Sequence, residues 1–152
     1  MNKQPKKVLL IVPWDKKNGS YRSLLSFFIA YKPLTLPTLA ALVPPELNAQ
    51  VDVCDEMTQN PWRYTHKYDV VAISFVSCES HRAYQLAARY RRLGSHVVFG
   101  GYHMMYNHRE GLRHADSVII CAAEKSWPRF LRDFADGRPP PLYDDPPLCP
   151  AD

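Results

Sequence analysis

No stretch of this 152-residue sequence approaches 18 consecutive apolar residues, the length a helix needs to cross a bilayer. The longest apolar segment, Leu24 to Tyr31, is far too short. The amino-terminal MNKQPKK followed by VLLIVPW has the basic-then-apolar order of a signal peptide. It lacks a small-residue cleavage site before Asp15, so the apolar part reads as a buried strand. Cysteine is scarce. The four residues (Cys54, Cys78, Cys121, Cys149) form neither a CxxC nor a CxxxCxxC, which excludes an obvious zinc knuckle or iron–sulfur site and points to reduced thiols in a cytoplasm. Glycine is also scarce, with six residues. The loop after the first apolar run, Pro13 to Gly19, contains one of them, so a GxGxxG or GxxxxGK[ST] phosphate loop is missing there. Dinucleotide and nucleoside-triphosphate sites are disfavoured accordingly. The net charge of +4 is spread out. Arg89, Arg91 and Arg92 form one tight group on an expected helix, which reads as a solvated face rather than a nucleic-acid patch. Neither a nucleic-acid nor a membrane partner is expected.

What remains is the composition of one folded domain, 46% hydrophobic and 22% charged. Val8 to Val12 is a continuous aliphatic run, the pattern of a strand buried on both faces. Thr38 to Val43 predicts a helix entered through Pro37 and ended by Pro44 and Pro45, and Leu24 to Ala30 predicts a short one before it. Val51 to Cys54, Val70 to Ser74, Val97 to Phe99 and Ser117 to Cys121 supply four more strands. Between them lie a helix from His81 to Leu93, stopped by Gly94, a helical turn from Glu110 to His114, and a last helix from Ser126 to Asp136. Five strands with crossovers of this length give a doubly wound, parallel α/β domain over residues 1–137. From Arg138 to Asp152 the prolines at 139–141, 146, 147 and 150 describe an extended tail or linker.

Ligands of open parallel sheets bind beyond the carboxyl ends of the strands, where the winding reverses. The residues that follow each strand are therefore the candidates. After the first come Trp14, which can floor a pocket or pack on the Leu24–Tyr31 segment, and Asp15. At the end of the third, Ser74-Phe75-Val76-Ser77 is rich in small hydroxyls that can meet a ligand's polar edge; Ser77 and Ser80 can equally cap the following helix. Gly100 and Gly101 end the fourth strand and let a ligand or another backbone approach closely. Tyr102 and His103 follow them. Ala123 and Glu124 follow the fifth strand, where Glu124 can orient a ligand amide or cap the last helix. A two-component receiver is excluded because Ser74 occupies the place of the phosphorylated carboxylate. An autonomous enzyme would have to rest on Cys78 and His81, a pair of low specificity.

In order and placement these residues carry a resemblance. A VLLIVP-type first strand precedes Leu34-Thr35-Leu36-Pro37, then Tyr68-Asp69-Val70-Val71-Ala72-Ile73-Ser74, then Val97-Val98-Phe99-Gly100-Gly101-Tyr102-His103. Ala115 to Ile120, Glu124 and Trp127 complete the series. Over residues 6 to 143 the sequence resembles the cobalamin-binding domain at the amino end of class B radical S-adenosylmethionine enzymes. That resemblance implies a Rossmann-like or flavodoxin-like sheet of order 2-1-3-4-5, with a corrin over the carboxyl ends of the strands and its nucleotide tail inserted at the sheet edge. It matches Ser74, Gly100, Gly101, His103 and Glu124 to the family's site. The DxHxxG that supplies a cobalt-ligating histidine elsewhere is missing, so the resemblance implies base-off cobalamin without a protein histidine, with Trp14 or Asp15 facing the lower side. Cobalt would be held through the corrin alone. Ala122-Ala123 replaces the usual Gly-Glu before Glu124. The family's cluster-binding CxxxCxxC, which would follow the Tyr143 region, does not occur before Asp152. The expectation is therefore a module, free-standing or excised, that holds a corrinoid for a separate radical S-adenosylmethionine or methyltransferase domain or protein and does not catalyse alone. A ligand-free interaction domain is the alternative.

Overall fold

The computed structural model describes residues 7–15, 34–59, 61–120 and 123–145, without the side chains of residues 61 and 62. The expected helix over Leu24–Ala30 lies outside the described residues. Among the described residues six strands form one sheet: β1 (Lys7–Val12), β2 (Gln50–Asp55), β3 (Val70–Ser74), β4 (His96–Gly100), β5 (Ser117–Ile119) and β6 (Leu142–Tyr143). Their order is β2-β1-β3-β4-β5-β6, and every neighbouring pair is parallel. The α-helices among the described residues are α1 (Thr35–Ala41), α2 (Ser80–Arg92), α3 (Tyr102–His114) and α4 (Ala123–Ala135).

Strand alternation sorts the core into two layers. Leu9, Ile11, Val71, Ile73, Val97 and Phe99 point to one face and pack on Ala83, Leu86, Ala87 and Tyr90 of α2 and Met104 of α3. Val8, Leu10, Val70, Ala72, Val98 and Ile119 point to the other. There they meet Leu36 of α1 and Trp127, Phe130, Leu131 and Phe134 of α4. With helices on both faces the class is α/β, doubly wound and Rossmann-like, and the continuous aliphatic strands follow from double burial.

The sheet has six strands where the sequence predicts five. β6 falls within the stretch read as an extended proline-rich tail. Two residues suffice because their neighbours complete the ladder: Val118 N–H donates to Pro141 O (2.8 Å) and Ile120 N–H to Tyr143 O (2.9 Å). Prolines are tolerated on an edge strand, where a missing N–H leaves no ladder gap. Tyr143 is 1% exposed, its ring 5.7 Å from that of Phe130 and its hydroxyl donating to Asp133 (2.9 Å). α3 is likewise a 13-residue helix rather than a short turn. It bends at Asn107 (φ −120°, ψ 27°), and the Asn107 side-chain amide donates to the His103 carbonyl (3.3 Å).

At the opposite, amino end of the sheet His96 is largely buried. Its Nε2 lies 3.0 Å from Ser117 Oγ, whose own proton goes to Pro140 O (3.0 Å). Burial lowers the His96 pKa, against the opposing pull of Asp116, with Arg91 acting in the same direction as burial. The native state thus favours the neutral ring, and the unfolded chain takes up the extra proton. Stability contributed by His96 is complete above the unfolded histidine value of about 6.5 and is lost as pH falls through and below it. Denaturant melts at pH 7.5 and 5.5 are expected to show a lower midpoint at pH 5.5. His96→Gln, which keeps a donor near the Nε2 position, is expected to shrink that difference; an unchanged difference would rule His96 out as its source.

Candidate functional site

A cleft of about 370 Å³ opens at the carboxyl ends of β3, β4 and β5, between α1 and α4. Its origin lies in strand parity. On the α1/α4 face, β3 runs Val70, Ala72, Ser74 and β4 runs Val98, Gly100, with Ala72 paired to Val98 and Ser74 to Gly100. Side-chain volume therefore shrinks toward the carboxyl edge on this face. On the opposite face it does not, since Ile73, Phe75 and Phe99 fill the core there. Leu34, Thr35, Thr38, Leu39 and Leu42 wall the cleft from α1 and its ends, and Ala123, Glu124 and Trp127 wall it from α4. The Trp127 indole N–H is satisfied by the Leu39 carbonyl (3.0 Å), which ties the two helices together and leaves the ring an apolar surface.

The two adjacent glycines answer different demands. Gly101 has φ +93° and ψ 178°, a region that residues with a Cβ avoid. A Cβ there would lie 2.5 Å from Phe75 O and 2.7 Å from Phe75 N. Among the described residues a Cβ on Gly100 would meet only Ile119 O, at 4.0 Å, an ordinary contact. Packing within the chain explains Gly101. The open space beside Gly100 belongs to the cleft.

Beneath the same edge, on the α2/α3 face, a polar array is built around His103, which is 7% exposed. Its Nδ1 is 2.9 Å from Ser77 Oγ and 3.3 Å from Asn107 Nδ2; its Nε2 is 3.1 Å from the Tyr84 oxygen. The Tyr84 hydroxyl donates to Glu110 Oε1 (3.0 Å). Burial, followed by that hydrogen bond to the carboxylate, pushes Tyr84 up to about 12. Ser77 thus serves His103 rather than capping α2, whose N-cap, Glu79, makes no side-chain cap bond.

A third cluster holds the end of β1. Glu56 Oε2 accepts the Trp14 N–H (3.1 Å) and the Arg82 Nε–H (2.9 Å), and its Oε1 accepts from the Arg82 terminal nitrogen (2.6 Å). The Glu56 side chain is 3% exposed, so this bidentate pair is partly desolvated and geometrically strict. It anchors the backbone at Trp14 and links β1, β2 and α2 at the carboxyl edge. Nearby, burial and then Glu56 and Asp55 push the Cys54 thiol up to about 12, so Cys54 packs and is no nucleophile. His81 hydrogen-bonds Gln85 (2.9 Å).

The sequence-predicted candidates thus divide. Ser74, Gly100, Gly101, Tyr102, Ala123 and Glu124 line the cleft. Phe75 and His103 are buried on the other face, with ring centroids 5.3 Å apart; Val76 and Ser77 are exposed beside them. Trp14 and Asp15 sit at the β1 end and do not line the cleft. Sequence reasoning missed Ala72, Trp127 and the α1 wall as lining residues. The parity of β3 could have found Ala72. Among the described residues no helix is long and apolar enough to cross a membrane.

Over 111 residues the chain is 34% identical to bacteriochlorophyllide d C-8(2)-methyltransferase of Chlorobaculum tepidum. The match takes in 73% of this chain and 24% of that protein, so the chain spans about a quarter of the length of the curated relative it matches. No family model matches the chain, and no solved structure does.

Proposed function

We propose that this chain is a cobalamin-binding module that holds a corrinoid at the carboxyl edge of its sheet and presents it to a separate catalytic domain or protein for methyl transfer. The observation that carries the reading is the cleft between α1 and α4, kept open by a glycine at position 100 that packing among the described residues does not require. It suits a flat group: apolar on the Trp127 and Leu39 side, with the Ser74 hydroxyl and the exposed Glu124 carboxylate at its mouth. The nucleotide tail of cobalamin would descend into it. Ser74 can donate to or accept from the tail, and the backbone at Gly100 and Gly101 can approach it without interference from side chains. Glu124 would accept an N–H from the ligand's amides. Trp14 and Asp15, held by Glu56 and Arg82, would face the lower side of the ring, and no protein histidine is invoked as a cobalt ligand. Bound cobalamin supplies methyl-transfer chemistry at its cobalt. The methyltransferase relative and the order of motifs along the chain support the same reading. Tyr102 (74% exposed), Met105 and Tyr106 project from the first turns of α3 at this edge, an apolar surface suited to a second polypeptide closing over the ligand.

Titration of the purified chain with hydroxocobalamin, followed in the visible spectrum and by co-elution on gel filtration, tests the reading. A spectral change with stoichiometric co-elution is expected. The absence of both at tens of micromolar would overturn it.

A further inference from the structure

The array beneath the edge has a direction, which follows from counting protons. A carboxylate can only accept, so the Tyr84 hydroxyl proton is committed to Glu110 Oε1. The Tyr84 oxygen, 3.1 Å from His103 Nε2, must then accept, and His103 carries its proton on Nε2. Nδ1 is left as a bare lone pair facing two groups, Ser77 Oγ at 2.9 Å and Asn107 Nδ2 at 3.3 Å. The orientation of the Asn107 amide is fixed independently, because the same nitrogen lies 3.3 Å from the His103 carbonyl oxygen, which only a donor can approach. Asn107 therefore presents N–H to Nδ1, and a proton on Nδ1 would oppose it. The single proton of Ser77 goes to His103.

We infer that the chain Glu110–Tyr84–His103 holds the hydroxyl of the exposed residue Ser77 with its proton turned inward and its lone pairs outward, making Ser77 a dedicated hydrogen-bond acceptor for an amide N–H on the corrinoid's rim. The inference rests on the corrinoid reading above and adds to it a polarity and a positioning residue. Ser77 follows β3, and His103 follows the Gly100–Gly101 end of β4. One hydrogen bond thereby ties together the two strand ends that border the site. A free serine rotor would offer a ligand a donor or an acceptor equally; this one offers an acceptor. The periphery of a corrin carries primary amides, whose N–H groups suit it. His103 acts through Ser77 and is a positioning residue.

Two measurements test this. In the free chain, nitrogen-15 spectra of the histidine rings, with His103 assigned from its loss in His103→Asn, are expected to show a protonated Nε2 and a bare Nδ1 for that residue. A protonated Nδ1 with a bare Nε2 overturns the inference. Equilibrium binding of cyanocobalamin is then compared across variants, with circular dichroism as the control on folding. Ser77→Ala is expected to weaken binding about three- to tenfold, and Ser77→Thr to retain it. His103→Asn, whose side-chain oxygen takes the place of Nδ1, is expected to bind like the unaltered chain, whereas His103→Leu falls as far as Ser77→Ala. Because Ser77 is exposed, its variants are expected to stay folded even where those at His103 do not. Binding by the unaltered chain that Ser77→Ala matches overturns the Ser77 contact alone. No binding by the unaltered chain overturns the corrinoid reading and the contact with it.

Discussion

Replacing Gly101 by alanine is expected to destabilise the chain by about 2–6 kcal/mol. Two causes add. The backbone there, at φ +93° and ψ 178°, costs a residue with a Cβ about 1–3 kcal/mol. The new methyl would also fall 2.5 and 2.7 Å from two backbone atoms of Phe75, which belong to the β3 end and cannot rotate away as a side-chain tip could. Forced repacking of this kind costs roughly another 1–3 kcal/mol. Against a typical domain stability of about 5–15 kcal/mol that is a large loss, readable as a fall in the denaturant midpoint. The Phe75 backbone is also bonded on both sides, its N–H donating to Gly100 O (3.2 Å) and its carbonyl accepting from His103 N–H (3.4 Å). Displacing it would disturb the Ser77–His103 array as well. An unaltered midpoint in Gly101→Ala would contradict this account of the turn.

Gly100→Val, one residue earlier, is expected to do the reverse. Position 100 ends a strand, where glycine is a weak choice for stability and valine a good one. Among the described residues a Cβ there would meet only the Ile119 carbonyl at 4.0 Å. The melting midpoint should therefore hold or rise. The isopropyl group, however, would project into the cleft opposite Ser74, its ladder partner. Cyanocobalamin affinity is expected to fall about 100-fold or more, roughly 2.7 kcal/mol of binding free energy. Gly100→Ala, which adds the Cβ alone, should give a smaller loss. Full binding by the folded valine variant would mean that the ligand does not use this cleft. The two neighbours thus separate a glycine required by the fold from one that leaves room for a ligand.

Much of this was legible in the sequence, and the rest was hidden for identifiable reasons. The aliphatic runs at Val8–Val12 and Val70–Ser74 announced buried parallel strands because double burial leaves no polar alternation to confuse the reading. Gly100 and Gly101 could be placed at a strand end, yet sequence alone does not say which is strained; that depends on where Phe75 lies. β6 escaped notice since two residues among prolines carry no periodicity, and it is Tyr143, burying its ring and handing its proton to Asp133, that holds the edge. Only the last turn of α3 is legible in the sequence. Its first half, Tyr102 to Asn107, exposes Tyr102, Met105 and Tyr106 while burying His103 and Met104, so no simple apolar stripe marks it. Position after the glycine pair marks His103 as a loop histidine, and the resemblance alone matches it to the family's site. The helix register turns it into the α2/α3 face, where Tyr84 and Ser77 meet it, a partnership that depends on the folded position of α2. The α1 wall required knowing that Trp127 reaches back to Leu39, a pairing separated by 88 residues.

The most direct test of the central claim, that the cleft between α1 and α4 receives the nucleotide tail of a corrinoid, compares cyanocobalamin with cyanocobinamide, which has the same ring and no tail. Both are titrated into the unaltered chain under one set of conditions, with dissociation constants measured by calorimetry. The account predicts that cyanocobalamin binds at least tenfold more tightly, and that Gly100→Val removes most of that advantage. Equal affinities for the two corrinoids, or binding of neither, would contradict it.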